Sequence, residues 1–179
     1  MIKAISTAIP DCVELFPDIF PDSRGEFLES YNKQNLALVG ITDDFIQDSV
    51  SVSKQYVLRG LHFQKAPFAQ TKLVSVLEGE VFDVAVDLRK GSATYGKWIS
   101  VVLTANTHNM LYIPAGFAHG FLALSEKVTF LYKIAGGYYN KENASGILWN
   151  DPTLNITWPL KGALPILSKQ DKNLPLFIS

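Results

Sequence analysis

The chain contains three histidines, few enough to weigh one at a time. His62 sits in "LRGLHFQ", with Lys72 downstream in "QTKLVSVLEGEVFDVAVDLR"; His119 ends "IPAGFAH", and Tyr132 stands in "FLYK". A neutral imidazole, with an ordinary pKa of about 6.5, can take a proton near neutral pH. An ammonium can stabilise the enolate oxygen that forms when that proton lay beside a carbonyl. A tyrosine on the other side of the substrate can return a proton to the opposite face, which inverts the carbon. A carboxylate holding the imidazole in the correct tautomer would complete the set. These residue types therefore point to proton transfer beside a ketone, provided the fold brings them around one cavity.

Period-two patterns supply the elements that could do so. In "EVFDVAVDLR", Phe82, Val84, Val86 and Leu88 share one face, and Asp83, Ala85, Asp87 and Arg89 the other. "KWISVVLTA" and "KVTFLYKIA" repeat the pattern with β-branched and aromatic residues. Turn signals separate the runs at Glu78-Gly79-Glu80, Lys90-Gly91-Ser92, Asn106–Asn109 and Pro114-Ala115-Gly116. The spacing predicts one all-β domain over residues 1–179, an antiparallel jelly-roll barrel with a few short helices. Helix is expected only over 32–40, ending at Gly40, and over 168–173. The proline-punctuated C-terminal third is expected to wrap the sheet edges. In such strands His62 and Gln64 share a face, as do Lys72, Val74 and Val76, while Tyr132 lies with Phe130 and Ile134. Strict alternation sets Arg59 opposite His62, so a bulge at Gly60 is needed to aim both inward.

Composition narrows the function classes. Apolar residues make up 47% and charged residues 18%, with sixteen basic against seventeen acidic side chains. No run of like charge marks a nucleic-acid footprint, and no apolar run approaches the roughly 20 residues of a membrane span. Pro10 and Asp11 interrupt the N-terminus before a signal-peptide core could form. Cys12 is the sole cysteine, so no intrachain disulfide is possible and a cytoplasmic location is expected.

Two stretches, around "LHFQ" and "IPAGFAHGF", resemble the paired motifs of the cupin superfamily, whose metal-binding members offer several histidines and a glutamate. Here Gln64 stands where the second histidine of the pair would be. His62 and His119 alone are too few for a secure metal site, so no metal is expected.

From "DSRGEFLES" through "FIQDSVSVS", "VLRGLHFQ", "QTKLVSVLEGEVFDVAVDLRKGSATYG", "IPAGFAHGF", "FLYK" and "LWNDPTLNITWP" to "LSKQD", nearly the whole chain resembles the dTDP-4-dehydrorhamnose 3,5-epimerases of bacterial deoxysugar synthesis. The resemblance implies a homodimeric jelly roll without metal or cofactor, acting on a nucleotide-linked 4-keto-6-deoxysugar. It implies His62 as the base at sugar carbons 3 and 5, Tyr132 as the opposing acid, Lys72 at the enolate and Asp171 as the carboxylate paired with His62. It further implies substrate contacts from Arg24, Glu29, Gln47, Asp48, Ser49, Arg59 and His119, and stacking of the base on Tyr138 or Tyr139.

The chain departs from the family pattern at Ser49, where asparagine is usual, in "IAGGYY", and at Ala144, near which a glutamate is expected. Each residue also has a plainer reading. Ser168-x-x-Asp171 is a capping-box pattern, Arg24 and Glu29 can pair with each other at a surface turn, and His108 reads as an exposed turn residue. Rival functions are inversion of one carbon, a sugar on another nucleotide, a non-catalytic nucleotide-sugar module, or a metal-dependent cupin.

Overall fold

The computed structural model describes residues 2–178. In chain order the elements are β1 (Ile2–Ser6), β2 (Val13–Pro17), β3 (Ile19–Asp22), β4 (Gly25–Leu28), α1 (Lys33–Leu38), β5 (Phe45–Lys54), β6 (Leu58–Gln64), β7 (Gln70–Glu78), β8 (Glu80–Asp87), β9 (Trp98–Thr104), β10 (Met110–Ile113), β11 (Phe117–Ala123), β12 (Lys127–Gly136) and β13 (Ala144–Gly146), followed by a 3-10 turn at Asp171–Asn173. Six strands form one sheet in the order β1-β2-β10-β7-β12-β5, and five form a second, β13-β6-β11-β8-β9. The hairpin β3-β4 stands apart. All pairings within the sheets are antiparallel, and the fold is the jelly roll expected from the strand spacing.

The sheets face each other across a core that takes Val74 and Val76 from β7, Leu111 and Ile113 from β10, Phe130 from β12, and Val81, Ala85, Leu103 and Phe121 from the opposite sheet. Stacked Phe121 and Phe130, 4.4 Å between centroids, cross the gap near its middle. Aromatic contact of this kind adds about 0.5–1.5 kcal/mol to the burial itself. Helix α1 begins at Asn32, whose side chain accepts from the N–H groups of Gln34 and Asn35. It buries Leu36 on the outside of the six-stranded sheet, against Leu15, Leu73 and Met110.

The C-terminal third closes the edge of β6 as expected, through β13 and the backbone of Ile147 and Ile166, and it does more than that. It covers a sheet face: Leu154, Ile156 and Trp158 pack on Leu58, Val84, Val86 and Leu122 from β6, β8 and β11. Both faces of β8 are therefore buried, because the alternate residues Val81, Asp83 and Ala85 look into the barrel. An apolar run on the far face needs a cover of its own, and the strand edge offers none.

The bulge required in β6 is present. His119 of β11 pairs with His62, but Phe121 pairs with Arg59, so one residue of β11, Gly120, opposes two of β6, Gly60 and Leu61. Gly60 carries the irregularity at φ +117°, and a Cβ there would lie 2.5 Å from Gly120 Cα. Only glycine meets both demands.

Candidate active site

One end of the barrel opens into a cavity of about 480 Å³ lined by Ser49 and Ser51 of β5, Arg59 and His62 of β6, Gln70 and Lys72 of β7, Tyr132 and Ile134 of β12, and Ser168, Gln170 and Asp171 from the C-terminal segment. A second lobe of about 290 Å³ shares His62, Gln70, Lys72 and Gln170 with the first. It adds Phe63, Gln64, Tyr139, Ala144 and Ser145. Five strands, the Tyr139 loop and the C-terminal segment thus deliver polar groups to one space, and bulged β6 aims Arg59 and His62 into it together.

His62 Nε2 lies 2.5 Å from Asp171 Oδ1. The ring keeps 41% of its side-chain surface open towards the cavity, while Asp171 is 5% exposed. With the carboxylate ionised, Nε2 carries the proton and donates it, leaving the basic lone pair on Nδ1. Burial lowers the His62 pKa below its ordinary value, and Asp171 opposes that shift. The imidazole is accordingly neutral at pH 7, the form a general base needs. The plainer reading of Asp171 is half realised. Its N–H donates to Ser168 Oγ at 3.0 Å, as in a capping box, but its carboxylate reaches His62.

Lys72 donates to the backbone carbonyl of His62 at 3.5 Å. Burial pushes its pKa down to about 8, and the carboxylate of Asp83 works in the other direction. It is therefore about nine-tenths charged at pH 7. Tyr132 Oη stands 3.3 Å from Ser51 Oγ, and burial raises its pKa to about 12. It remains a neutral O–H donor. Arg59 donates from Nε to Ser53 Oγ at 3.1 Å and from a terminal nitrogen to the Val52 carbonyl at 3.2 Å. These contacts fix its guanidinium against β5.

Strand β5 sorts the expected contacts by its alternation. Gln47 and Ser49 face inward, with Gln47 Nε2 donating to Ser49 Oγ at 2.9 Å. Asp48 is turned to the outer face, where Lys133 Nζ reaches both its oxygens at 2.9 and 2.8 Å. A period of two cannot put three successive residues on one wall.

His119 also differs from its expected place. It is buried at 3% exposure beneath Tyr132, 6.2 Å between ring centroids, and is not on the cavity wall. Its Nε2 lies 3.0 and 2.9 Å from the two oxygens of Asp83, which is fully buried. A buried carboxylate needs such a partner, and that demand turns the ring away from the cavity. Asp83 went unassigned in the sequence. Its signal was the polar face of "EVFDVAVD", ambiguous because both faces of that strand are covered.

Three expected contacts lie away from the cavity. Arg24, at the tip of the β3-β4 hairpin, pairs with Asp22 at 2.5 Å. Glu29 accepts from Asn32 and Asn35 at 3.1 and 2.9 Å, so Arg24 and Glu29 do not pair with each other. Tyr138 is exposed and contributes its backbone carbonyl to Gln64, whereas Tyr139 lines the second lobe. His108 is not free in its turn but holds Glu26 of the hairpin at 2.7 Å. Among the described residues no three His, Cys, Asp or Glu side chains gather as a metal-binding group. No helix there is long and apolar enough to cross a membrane.

Comparison with known proteins places these features in a family. A family model described as dTDP-4-dehydrorhamnose 3,5-epimerase matches residues 6–179. The chain is 52% identical over 177 residues to the dTDP-4-dehydrorhamnose 3,5-epimerase of Salmonella typhimurium, covering 98% of this chain and 96% of that one. It resembles the crystal structure of the Bacillus anthracis dTDP-4-dehydrorhamnose 3,5-epimerase with TDP and PPi bound, at TM-score 0.95 and 47% identity over 99% and 100% of the two chains. A dTDP-6-deoxy-D-glucose-3,5-epimerase from Legionella pneumophila, in complex with dTDP-4-keto-L-rhamnose, aligns at TM-score 0.93 and 46% identity over 98% and 93%.

Proposed function

The chain belongs to the dTDP-4-dehydrorhamnose 3,5-epimerase family, and from that membership we infer that it is an isomerase that inverts carbons 3 and 5 of dTDP-4-dehydro-6-deoxy-D-glucose to give dTDP-4-dehydro-L-rhamnose. The observation that carries a mechanism on this chain is the convergence of the His62–Asp171 pair, Lys72 and Tyr132 on one cavity.

His62 takes the proton from a carbon next to the 4-keto group, and the carboxylate of Asp171 stabilises the imidazolium that results. The electron pair moves into the carbonyl, and the charged Lys72 faces the enolate oxygen. Tyr132 donates its phenolic proton from the other side, leaving the carbon inverted; His62 then gives its proton to solvent and the Tyr132 phenolate takes one from solvent, and the same sequence at the second carbon completes the reaction. Arg59 supplies positive charge to the diphosphate, and Gln47 and Ser49 line its approach. Tyr139, in the second lobe, offers a face to the base.

A homodimer accounts for what the cavity leaves outside. Strand β5 ends its sheet and presents Ile46, Val50 and Val52 outward, at 39%, 57% and 59% exposure. An apolar edge of this kind favours a second copy. Arg24 and Glu29, remote from the cavity of their own chain, are then available to a neighbour's substrate. One free cysteine, buried, supports a cytoplasmic location.

The test is incubation with dTDP-4-dehydro-6-deoxyglucose in heavy water, followed by mass spectrometry and NMR of the sugar. Uptake of two solvent deuterons with inversion at both carbons is expected. Uptake of one would reduce the activity to single-carbon epimerisation, and no uptake by folded protein would refute the reading.

A further inference from the structure

Asp171 does not belong to the barrel. It rides on residues 166–178, a strap with little regular structure that lines the cavity at Ser168, Gln170 and Asp171, so its 2.5 Å contact with His62 depends on how that strap is held. The near end is tied to β6, where Leu58 N–H donates to Ile166 O at 3.0 Å and Ile166 N–H to Tyr56 O at 2.8 Å. Beyond the 3-10 turn, Leu174 lies against Gly146, where any Cβ would come within 2.8 Å of its methyl groups. Leu148 N–H then donates to Pro175 O at 2.8 Å. Near the far end Tyr95 Oη donates to Ile178 O at 3.3 Å, and one further tie comes from a buried side chain. Phe177 N–H donates to Asp151 Oδ2 at 2.7 Å.

Asp151 is 1% exposed. Its other oxygen, Oδ1, accepts from the N–H groups of Thr153 and Leu154, both at 2.9 Å. One buried carboxylate thus joins the turn that starts the C-terminal cover to the strap that carries Asp171. It lines neither lobe of the cavity. A carboxylate this deep is costly without full hydrogen bonding. A turn cap alone would employ one oxygen, and the second is committed to the strap.

We propose that Asp151 is a positioning residue for the reaction, acting through the strap to hold Asp171 against His62. The inference rests on the reading of His62 and Asp171 as the base and its partner. A short contact between two groups carried on different segments of the chain is sensitive to displacement of either, and a shift of about 1 Å at a reacting group can cost on the order of a hundredfold in rate.

Asp151→Asn separates the two duties of the side chain. Its carbonyl oxygen can still cap Thr153 and Leu154, but its NH2 then faces the Phe177 N–H, donor against donor. Solvent-deuterium uptake at saturating substrate should fall on the order of tenfold, with KM within about twofold of the parent. In an Asp171→Asn background the same change should alter kcat by less than about twofold, because the group it positions is gone. A tenfold loss in both backgrounds, or parental kcat in the single variant, would overturn the proposal. Asp171→Asn turning over at the parental rate would remove the base pair itself, and this inference with it. If Asp151→Asn does not fold, Phe177→Pro deletes the same hydrogen bond from the donor side. It should show the same loss of kcat, and parental kcat there would count equally against the proposal.

Discussion

Replacing Lys72 by methionine deletes the ammonium shared by both lobes of the cavity and keeps a side chain of similar length. Because burial brings the Lys72 pKa down to about 8, the consequence can be read against pH. The charged fraction is about nine-tenths at pH 7 and about one-tenth at pH 9. If the cation stabilises the enolate, parental kcat should fall about tenfold between those values. The sign follows from the group: the active form is protonated, so activity is present below pH 8 and lost as pH rises through it. Tyr132, raised to about 12, stays protonated over the whole range and adds no limb there. His62, lowered by burial, sets only the acid side. Removing one preorganised donor from a developing oxyanion costs about 2.7–4 kcal/mol, or on the order of 10²–10³ in kcat. Lys72→Met should therefore lose that much at pH 7 and be flat from pH 7 to 9, so that its deficit against the parent shrinks about tenfold at the higher pH. Deuterium uptake measured at saturating substrate across this range is the assay. A methionine variant that keeps the basic limb, or one that raises KM with kcat intact, would refute the role given to Lys72.

Tyr132→Phe should still exchange protons with solvent but yield little inverted sugar, and NMR showing normal product from that variant would remove Tyr132 from the acid role. Asp83→Asn takes away the charge that holds the Lys72 pKa up. The basic limb should move below pH 8, whereas an unmoved limb would mean that Asp83 serves only His119. Gly60→Ala places a Cβ 2.5 Å from the backbone of Gly120 at a positive φ. Urea unfolding should show a loss of roughly 3 kcal/mol or more, and a change below about 1 kcal/mol would argue against the tight β6–β11 approach.

Strand β5 shows what alternation leaves open. In "FIQDSVSVS" the valines alternate with serines, a pattern that ordinarily buries the valines. Here Ser49, Ser51 and Ser53 look inward, and Val50 and Val52 are exposed. Alternation states that two faces differ; it does not state which one meets the barrel interior. The same gap hid the partner of His119, since Asp83 shares its face with Val81 and Ala85 inside the barrel while Phe82 and Val84 lie under the C-terminal cover. By contrast, Asn32 and Gly40 bounded the short helix correctly, because a cap and a stop are local events.

By itself the sequence determined the strands, their turns and the kind of chemistry available. Those depend on period, turn residues and side-chain type, all of which act over a few positions. It also required the bulge at Gly60, because no regular strand can aim Arg59 and His62 the same way. Tertiary structure decided the rest: that Asp171, 109 residues from His62 along the chain, closes on it; that Asp48 turns outward; that His119 sits behind the wall; and that Asp151 ties down the strap. These are long-range choices, made where one carboxylate or imidazole can satisfy its buried hydrogen bonds, and no local pattern in the chain records which partner will be within reach.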